Sequence, residues 1–541
     1  MSRAAGRPAR RGAAALLLAS LAGAVPAAAT EQVLRIGMTA SNVPTTSGMP
    51  DNGFEGMRFL GYPVFESLVL WDLSRSDMRA GLRPGLAERW EQDRADPRTW
   101  VFHLRRGVKF HDGTAFDADA VLWNLARFYR SDAPQFDPNG AAIVRARSPL
   151  VASWRKMDDH TVAITTSRAV SYFPYMAVYI LMTSPASWEA GGRDWARAAE
   201  ALPAGTGPFR LARFTARVSA EIARNDAYWD EGRRPRLDRV VFLPIPDALT
   251  RMSALRSGQV DWIEAPPPDG IPALRQAGFR IVTNPYPHTW GWLLSLDGPG
   301  TPFGDLRVRR ALNYCVDREG LAGLLNGTAE PAVGIFRTAD SVFGTPEQRY
   351  RLDPARGRAL LAEAGYGPQR PLRFKVLIST SGSGHMMPLP MNEFLQARLR
   401  ETCGIEVSFE VVEFNTVLTL NRSPPDAPGL RGSAAINTAP PTSDPAVVLR
   451  YTGASFAPPN GFNWARFNDP VYEREIATME AATDQAEAEA ALRRAHQRLV
   501  DQAPWVFIVH DLNARAMTRS VTGFVQAQSW FQDLVPVSMA P

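Results

Sequence analysis

Cysteine is nearly absent from this 541-residue chain, which has only Cys315 and Cys403. Two cysteines exclude a disulfide scaffold and a cysteine-built metal site. We read both as small buried apolar residues, with a bridge in an oxidising compartment as the alternative. An excess of one charge is missing as well. Lys and Arg number 60 against 55 Asp and Glu, and four arginines fall in the first 29 residues, leaving 56 against 55. That balance offers no basic face and argues against a nucleic-acid partner. No long hydrophobic run is present either. The apolar stretch 13–25 is too short to span a bilayer. It follows Arg3, Arg7, Arg10 and Arg11 and precedes Ala27-Ala28-Ala29, the order of a secretory leader cleaved near Ala29. The Arg10-Arg11 pair has poor flanks for a twin-arginine route, so the general secretory route is expected. With no cysteine at the cleavage site, no lipid anchor is expected, and the mature chain should be free in the periplasm.

Catalytic signatures are also lacking. There is no HExxH, no GxSxG, no P-loop and no paired CxxC. Gly382-Ser383-Gly384-His385 lacks the spacing of a nucleophile elbow and reads as a flexible loop. The seven histidines are scattered, His103, His111 and His160 among them. We therefore expect neither an enzyme nor a cofactor or metal; a secreted hydrolase is the alternative from another class.

What is present is an ordinary globular composition, 45% hydrophobic and 21% charged, long enough for two or three cores. The most informative stretch is 86–128. Residues 99–105 (TWVFHLR) alternate as a half-buried strand, Gly107 breaks the run, and Asp112-Gly113 supplies a turn. Asp117 can then cap a helix whose apolar positions are Val121, Leu122, Leu125 and Phe128; the capping box is incomplete, because position 120 is Ala. Further strands are read at 32–38, 154–156, 161–165, 209–214, 237–243 and 260–263. Later ones lie in LRFKVLIST, at 404–412 and at 503–509. Helices are read from Asp247 to Gly258, after Asp305 and Asp317, and over 354–367 and 391–403. Residues 470–498 read as a packed helix pair rather than a coiled coil. Gly205-x-Gly207 reads as a turn, since it lacks a third glycine and the strand-to-helix context of a dinucleotide loop.

The words of residues 102–121, FHLRRGVKFHDGTAFDADAV, closely resemble the signature of the family 5 solute-binding proteins, the dipeptide, oligopeptide and nickel-binding components of ABC importers. GTGPFRL, ARNDAYWDEGRRPRLDRVVF, DALTRMSALRSGQVDWIEAPPP and PFGDLRVRRALNYCVDREGLAGLLNGTAEPA resemble consecutive family blocks, so the likeness runs over nearly all of 31–541. The resemblance implies an α/β fold: a two-lobe, clamshell periplasmic binding protein of type II kind, with a subdomain inserted in the first lobe. The implied division is a signal peptide 1–29, lobe I 30–285 with the insert at about 73–202, lobe II 286–510, and a return to lobe I over 511–541. It implies a monomer that captures a small molecule or short peptide between its lobes and hands it to an inner-membrane permease and ATPase complex.

The resemblance also places the site on inner-face loops. Candidates are Asn42 and Thr45; Tyr286, His288, Trp290 and Trp292 at the lobe crossing; His385; Asn437 and Asp444; and Asn463 and Trp464. Each has a plainer reading: the crossing aromatics pack a hinge, His385 is a solvated loop residue, and Asn463 holds a turn. Peptide-binding relatives carry an Asp that pairs with the peptide's α-ammonium, and Pro441 stands at that position here. Proline offers neither charge nor donor. Asp444 is the nearby substitute, and nickel chelates, glutathione, opines or sugars are the non-peptide alternatives.

Overall fold

A computed structural model describes residues 31–39, 56–286, 288–380, 386–440, 445–482 and 485–540. Two mixed sheets organise the chain into two α/β lobes. The first has the order Arg280–Val282, Arg515–Met517, Trp262–Glu264, Val33–Met38, Arg239–Pro244, Ser219–Arg224, Phe209–Thr215. Val33–Met38 sits at its centre, parallel to both neighbours, and Leu34, Ile36 and Met38 are buried. The second sheet has the order Ala329–Pro331, Trp505–Asp511, Thr289–Leu294, Ala435–Thr438, Arg373–Ser379, Glu406–Val412. Its Trp505–Asp511 strand is buried at every residue, the apolar Trp505–Val509 run and the polar His510 and Asp511 alike.

Between Met38 and Phe209 the chain leaves the first sheet and builds a separate antiparallel one, Ala87–Gln92, Thr99–Leu104, Thr161–Thr166, Val151–Asp158. Here the signature stretch does its structural work. The strand Thr99–Leu104 is followed by a turn and by the helix Ala118–Tyr129, whose Asp117 cap accepts the Ala120 N–H at 3.0 Å. The cap works alone; Ala120 contributes only its backbone. His111 fastens this unit to the first lobe. Its Nδ1 accepts the Gly205 N–H at 3.2 Å, so Nε2 carries the proton and donates to the Gly207 carbonyl at 3.0 Å. Burial drives the imidazole down to about 4, which keeps that tautomer neutral. Gly205 and Gly207 are needed because the Pro63–Val64 backbone passes against them. A Cβ would come within 2.0 Å and 2.4 Å of the Val64 and Pro63 carbonyl oxygens.

On one face of the second sheet Trp290, Trp292 and Leu294 pack with Val308, Leu312, Leu395 and Leu399 of the covering helices. The helices Leu306–Cys315 and Pro388–Cys403 are joined at their ends by a disulfide between Cys315 and Cys403, 88 residues apart. This corrects our reading of the two cysteines as unlinked apolar residues, and the alternative is the one found. Gly357 completes the contact, since a Cβ there would lie 2.4 Å from Cys315 Sγ. The Ala- and Glu-rich stretch forms two helices, Pro470–Ala481 and Gln485–Gln502, packed on each other. Among the described residues no helix is long and apolar enough to cross a membrane.

Candidate functional site

Among the described residues the chain passes between the two lobe sheets twice: from Arg280–Val282 to Thr289–Leu294, and from Trp505–Asp511 to Arg515–Met517. The two crossings pair with each other. Asn284 N–H donates to the Leu512 carbonyl at 2.9 Å, Tyr286 N–H to the Asp511 carbonyl at 2.8 Å, and Asp511 N–H to the His288 carbonyl at 3.2 Å. Two antiparallel connections of this kind form a natural hinge.

Behind the crossings lies a buried charged cluster. Glu264 accepts from Arg58 Nη2 at 3.1 Å, from Arg515 Nε at 2.6 Å and from Trp262 Nε1 at 2.8 Å. Arg515 also lies over the rings of Trp262 and Phe524, 5.6 and 5.5 Å from their centroids. Asp511, fully buried, accepts the Asn513 N–H at 2.7 Å on Oδ1, and its Oδ2 has no partner. Burial first of all pushes this carboxyl up to about 7; the Asn513 N–H, Arg515 and Arg58 pull the other way. None of the four ionisable residues was singled out from sequence. The signal was there: an Asp and an Arg interrupt the apolar run WVFIVHDLNARAM, and buried charges are kept only where they are paired or used.

The candidate residues divide. Tyr286 and His288 lie at the crossing, buried, with ring centroids 4.5 Å apart. His288 Nδ1 has no partner, and burial, with Arg147 and Arg58 nearby, depresses its imidazole to about 3. Thr289 N–H donates to the Pro440 carbonyl at 3.2 Å, which brings the end of the 435–440 stretch to the same place. Asn437 and Trp292 are register partners, but their polar atoms serve the lobe interior. Trp292 Nε1 donates to Asn392 Oδ1 at 2.8 Å, Asn392 Nδ2 to Asn437 Oδ1 at 3.0 Å, and Asn437 Nδ2 to the Gly291 carbonyl at 3.0 Å. Trp290 is buried beside them.

Asn463 and Trp464 are elsewhere: Leu296 N–H donates to the Ala465 carbonyl at 3.4 Å, at the other end of strand Thr289–Leu294 from His288. Asn463 Nδ2 reaches the carbonyls of Thr452, Gly453 and Phe467, and its Oδ1 takes the Phe467 N–H at 3.1 Å. That is a turn clamp. Trp464 is fully buried with Nε1 unpartnered. Asn42, Thr45, His385, Pro441 and Asp444 lie outside the described residues.

Contacts away from the crossings hold the two halves together. Arg79 pairs with Asp340 at 2.9 Å and lies 4.8 Å over the Phe336 ring. Arg79 and Asp340, together with Tyr286, Arg337, His510 and Gln528, line a small pocket of about 20 Å³. After the antiparallel sheet, Arg168 pairs with Glu480, Tyr172 Oη donates to Glu480 at 2.6 Å, and Ser171 N–H donates to the Glu480 carbonyl at 3.1 Å. Among the described residues no group of His, Cys, Asp and Glu could hold a metal ion.

Residues 81–472 match the model of the bacterial extracellular solute-binding proteins, family 5. The chain belongs to this family. A glutathione-binding protein of Pectobacterium atrosepticum is 26% identical over 439 residues, covering 80% of each chain. A di/tripeptide-binding protein of Pseudomonas aeruginosa is 25% identical, covering 88% of this chain and 91% of its own. The periplasmic binding protein DppA of Helicobacter pylori, solved with the peptide STSA, superposes with a TM-score of 0.76 at 21% identity. That match covers 94% of this chain and 98% of the other. The two-lobe binding-protein fold and the family expected from the sequence are therefore those of this chain. Members of this family bind solutes for transport.

Proposed function

We propose that this chain is the periplasmic substrate-binding subunit of an ABC importer, taking a peptide or peptide-like solute between its lobes and presenting it to a permease and ATPase complex. The observation that carries this reading is the pair of crossings, 283–288 and 512–514, as the only chain connections between the two sheets among the described residues. A clamshell built this way can report occupancy, because a solute that touches both lobes favours their closed arrangement by its differential affinity. The peptide class is favoured by the peptide-binding relatives.

In this reading residues 1–29 are a cleaved leader, 30–285 form the first lobe with an insert at about 73–202, 286–510 the second, and 511–541 the return. The protein works as a monomer and has no catalytic role. Tyr286 and His288 at the crossing are the described candidates for solute contact, and Asn42, Thr45, His385 and Asp444 are kept as candidates from the sequence alone, whereas Asn437 keeps its amide inside the lobe. Trp290 and Trp292 pack the lobe behind the crossing, and Asn463 and Trp464 are structural residues away from it.

Pro441 supports a second reading, in which the solute is not recognised by an α-ammonium. The glutathione-binding relative and a solved relative in complex with agropinic acid, at 23% identity, mark that range of chemistry. Native mass spectrometry of protein purified from its own host, followed by identification of what denaturation releases, decides between them. A family of peptides supports the first reading; one non-peptide species replaces it with the second. Catalytic conversion of a supplied peptide library would overturn both.

A further inference from the structure

Asp511 is the last residue of its strand before the chain returns to the first sheet, and both its backbone groups belong to the paired crossings. Charged and titratable groups of four neighbouring segments act electrostatically on its side chain. These are Arg58 from the Met57–Gly61 segment, Glu264 from Trp262–Glu264, Arg515 from Arg515–Met517, and Tyr286 from the opposite crossing. His288 and His510 flank it through the backbone. Two basic and two acidic groups would balance if Asp511 were ionised. Yet Oδ2, fully buried, receives no hydrogen bond, and a buried carboxylate oxygen left bare is costly. A neutral carboxyl relieves that cost.

We infer that Asp511 is a proton-controlled element of the hinge, neutral while the two crossings are paired and ionised once they part and admit water. The functional consequence rests on reading the crossings as the hinge of a solute-binding clamshell; the proton linkage belongs to the crossing and is measurable without solute. Burial places the carboxyl at about 7 here, whereas a hydrated Asp titrates near 3.8. The paired state thus holds more protons than the parted state between those values, so parting becomes easier as pH rises. The adjacent imidazoles do not supply the effect: His288 and His510, both lowered to about 3 by burial, stay neutral across this window. Tyr286 is raised and stays protonated.

The test is hydrogen exchange of the whole chain at about pH 5.5 and pH 8, corrected for intrinsic rates, read at the amides of Asn284, Tyr286 and Asp511. Full hydration on parting predicts protection about 30-fold lower at the higher pH in the wild type. Asp511→Asn, which keeps the neutral shape, should remove the dependence. A flat wild-type profile overturns the inference whether or not the variant folds, and so does an unchanged slope in a folded D511N. A second readout is affinity for the solute released from the native protein, which should weaken from pH 5.5 to 8 in the wild type alone. Protection that depends on pH in a protein that binds no solute would refute the clamshell reading and keep the proton linkage. Solute binding with pH-independent protection would do the reverse.

Discussion

The contact of Glu480 with the 168–172 segment offers a direct test of closure. Glu480 lies in the last turn of the helix Pro470–Ala481, packed on Gln485–Gln502 of the second half, whereas Arg168, Ser171 and Tyr172 follow the antiparallel sheet of the first. Removing the carboxylate by Glu480→Ala deletes the 2.6 Å bond from Tyr172 and the pair with Arg168, and leaves the bond from Ser171 N–H to the 480 carbonyl. Arg168 is 39% exposed and Glu480 13%, so the ion pair is partly screened and contributes about 0.5 kcal/mol. The shielded tyrosine bond to a charged acceptor adds about 1.5 kcal/mol. If the contact exists only with the lobes together, about 2 kcal/mol is lost from that state alone, and the dissociation constant rises about 30-fold. Glu480→Gln keeps an acceptor for Tyr172 and should lose only about threefold. Calorimetric titration with the released solute measures both, and urea unfolding of the solute-free protein supplies the control. Unchanged affinity in a folded E480A would refute the closure role. An equal loss of stability without solute would make the contact a permanent strut.

The disulfide closes a loop of 88 residues, so replacing Cys315 and Cys403 by Ala should lower unfolding free energy by about 4–5 kcal/mol on the chain-entropy account. Thermal unfolding with and without reductant checks this, and a wild type indifferent to reductant contradicts it. Trp464→Ala should cost about 3–5 kcal/mol by opening a core cavity. Trp464→Phe should cost far less, because the indole N–H it removes has no partner; equal losses in denaturant titrations would show that the packing account is wrong. Asn392→Ala strands Trp292 Nε1 and Asn437 Oδ1, so about 2–4 kcal/mol should be lost, with affinity little changed. A selective loss of affinity would instead put Asn437 on the solute.

How far the sequence reaches depends on whether a feature is local. The strand, turn and capped helix around Asp117 are set by residues within thirty positions of one another, and the structure has them where the spacing puts them. The Gly205 and Gly207 turn was readable too, although its cause, the Pro63–Val64 backbone pressed against it, lies about 140 residues away. The disulfide was undecidable because spacing along the chain carries no Cα separation; the 6.1 Å between Cys315 and Cys403 arises only when two helices end side by side.

The candidate site shows the same division. Polar and aromatic loop residues advertise themselves, and so Trp292 and Asn463 were selected, yet both spend their hydrogen bonds inside the protein. The cluster at the crossings draws on four separate stretches, through Arg58, Glu264, Asp511 and Arg515, and no window of sequence contains it. Only in the fold does the ionisation of Asp511 become a question about lobe geometry. A carboxyl that surface hydration would ionise outright is held near neutrality because both chain crossings close over it. The same pairing that makes a hinge of residues 284–288 and 511–513 also excludes the water that would ionise Asp511, so movement and protonation at this point are one equilibrium.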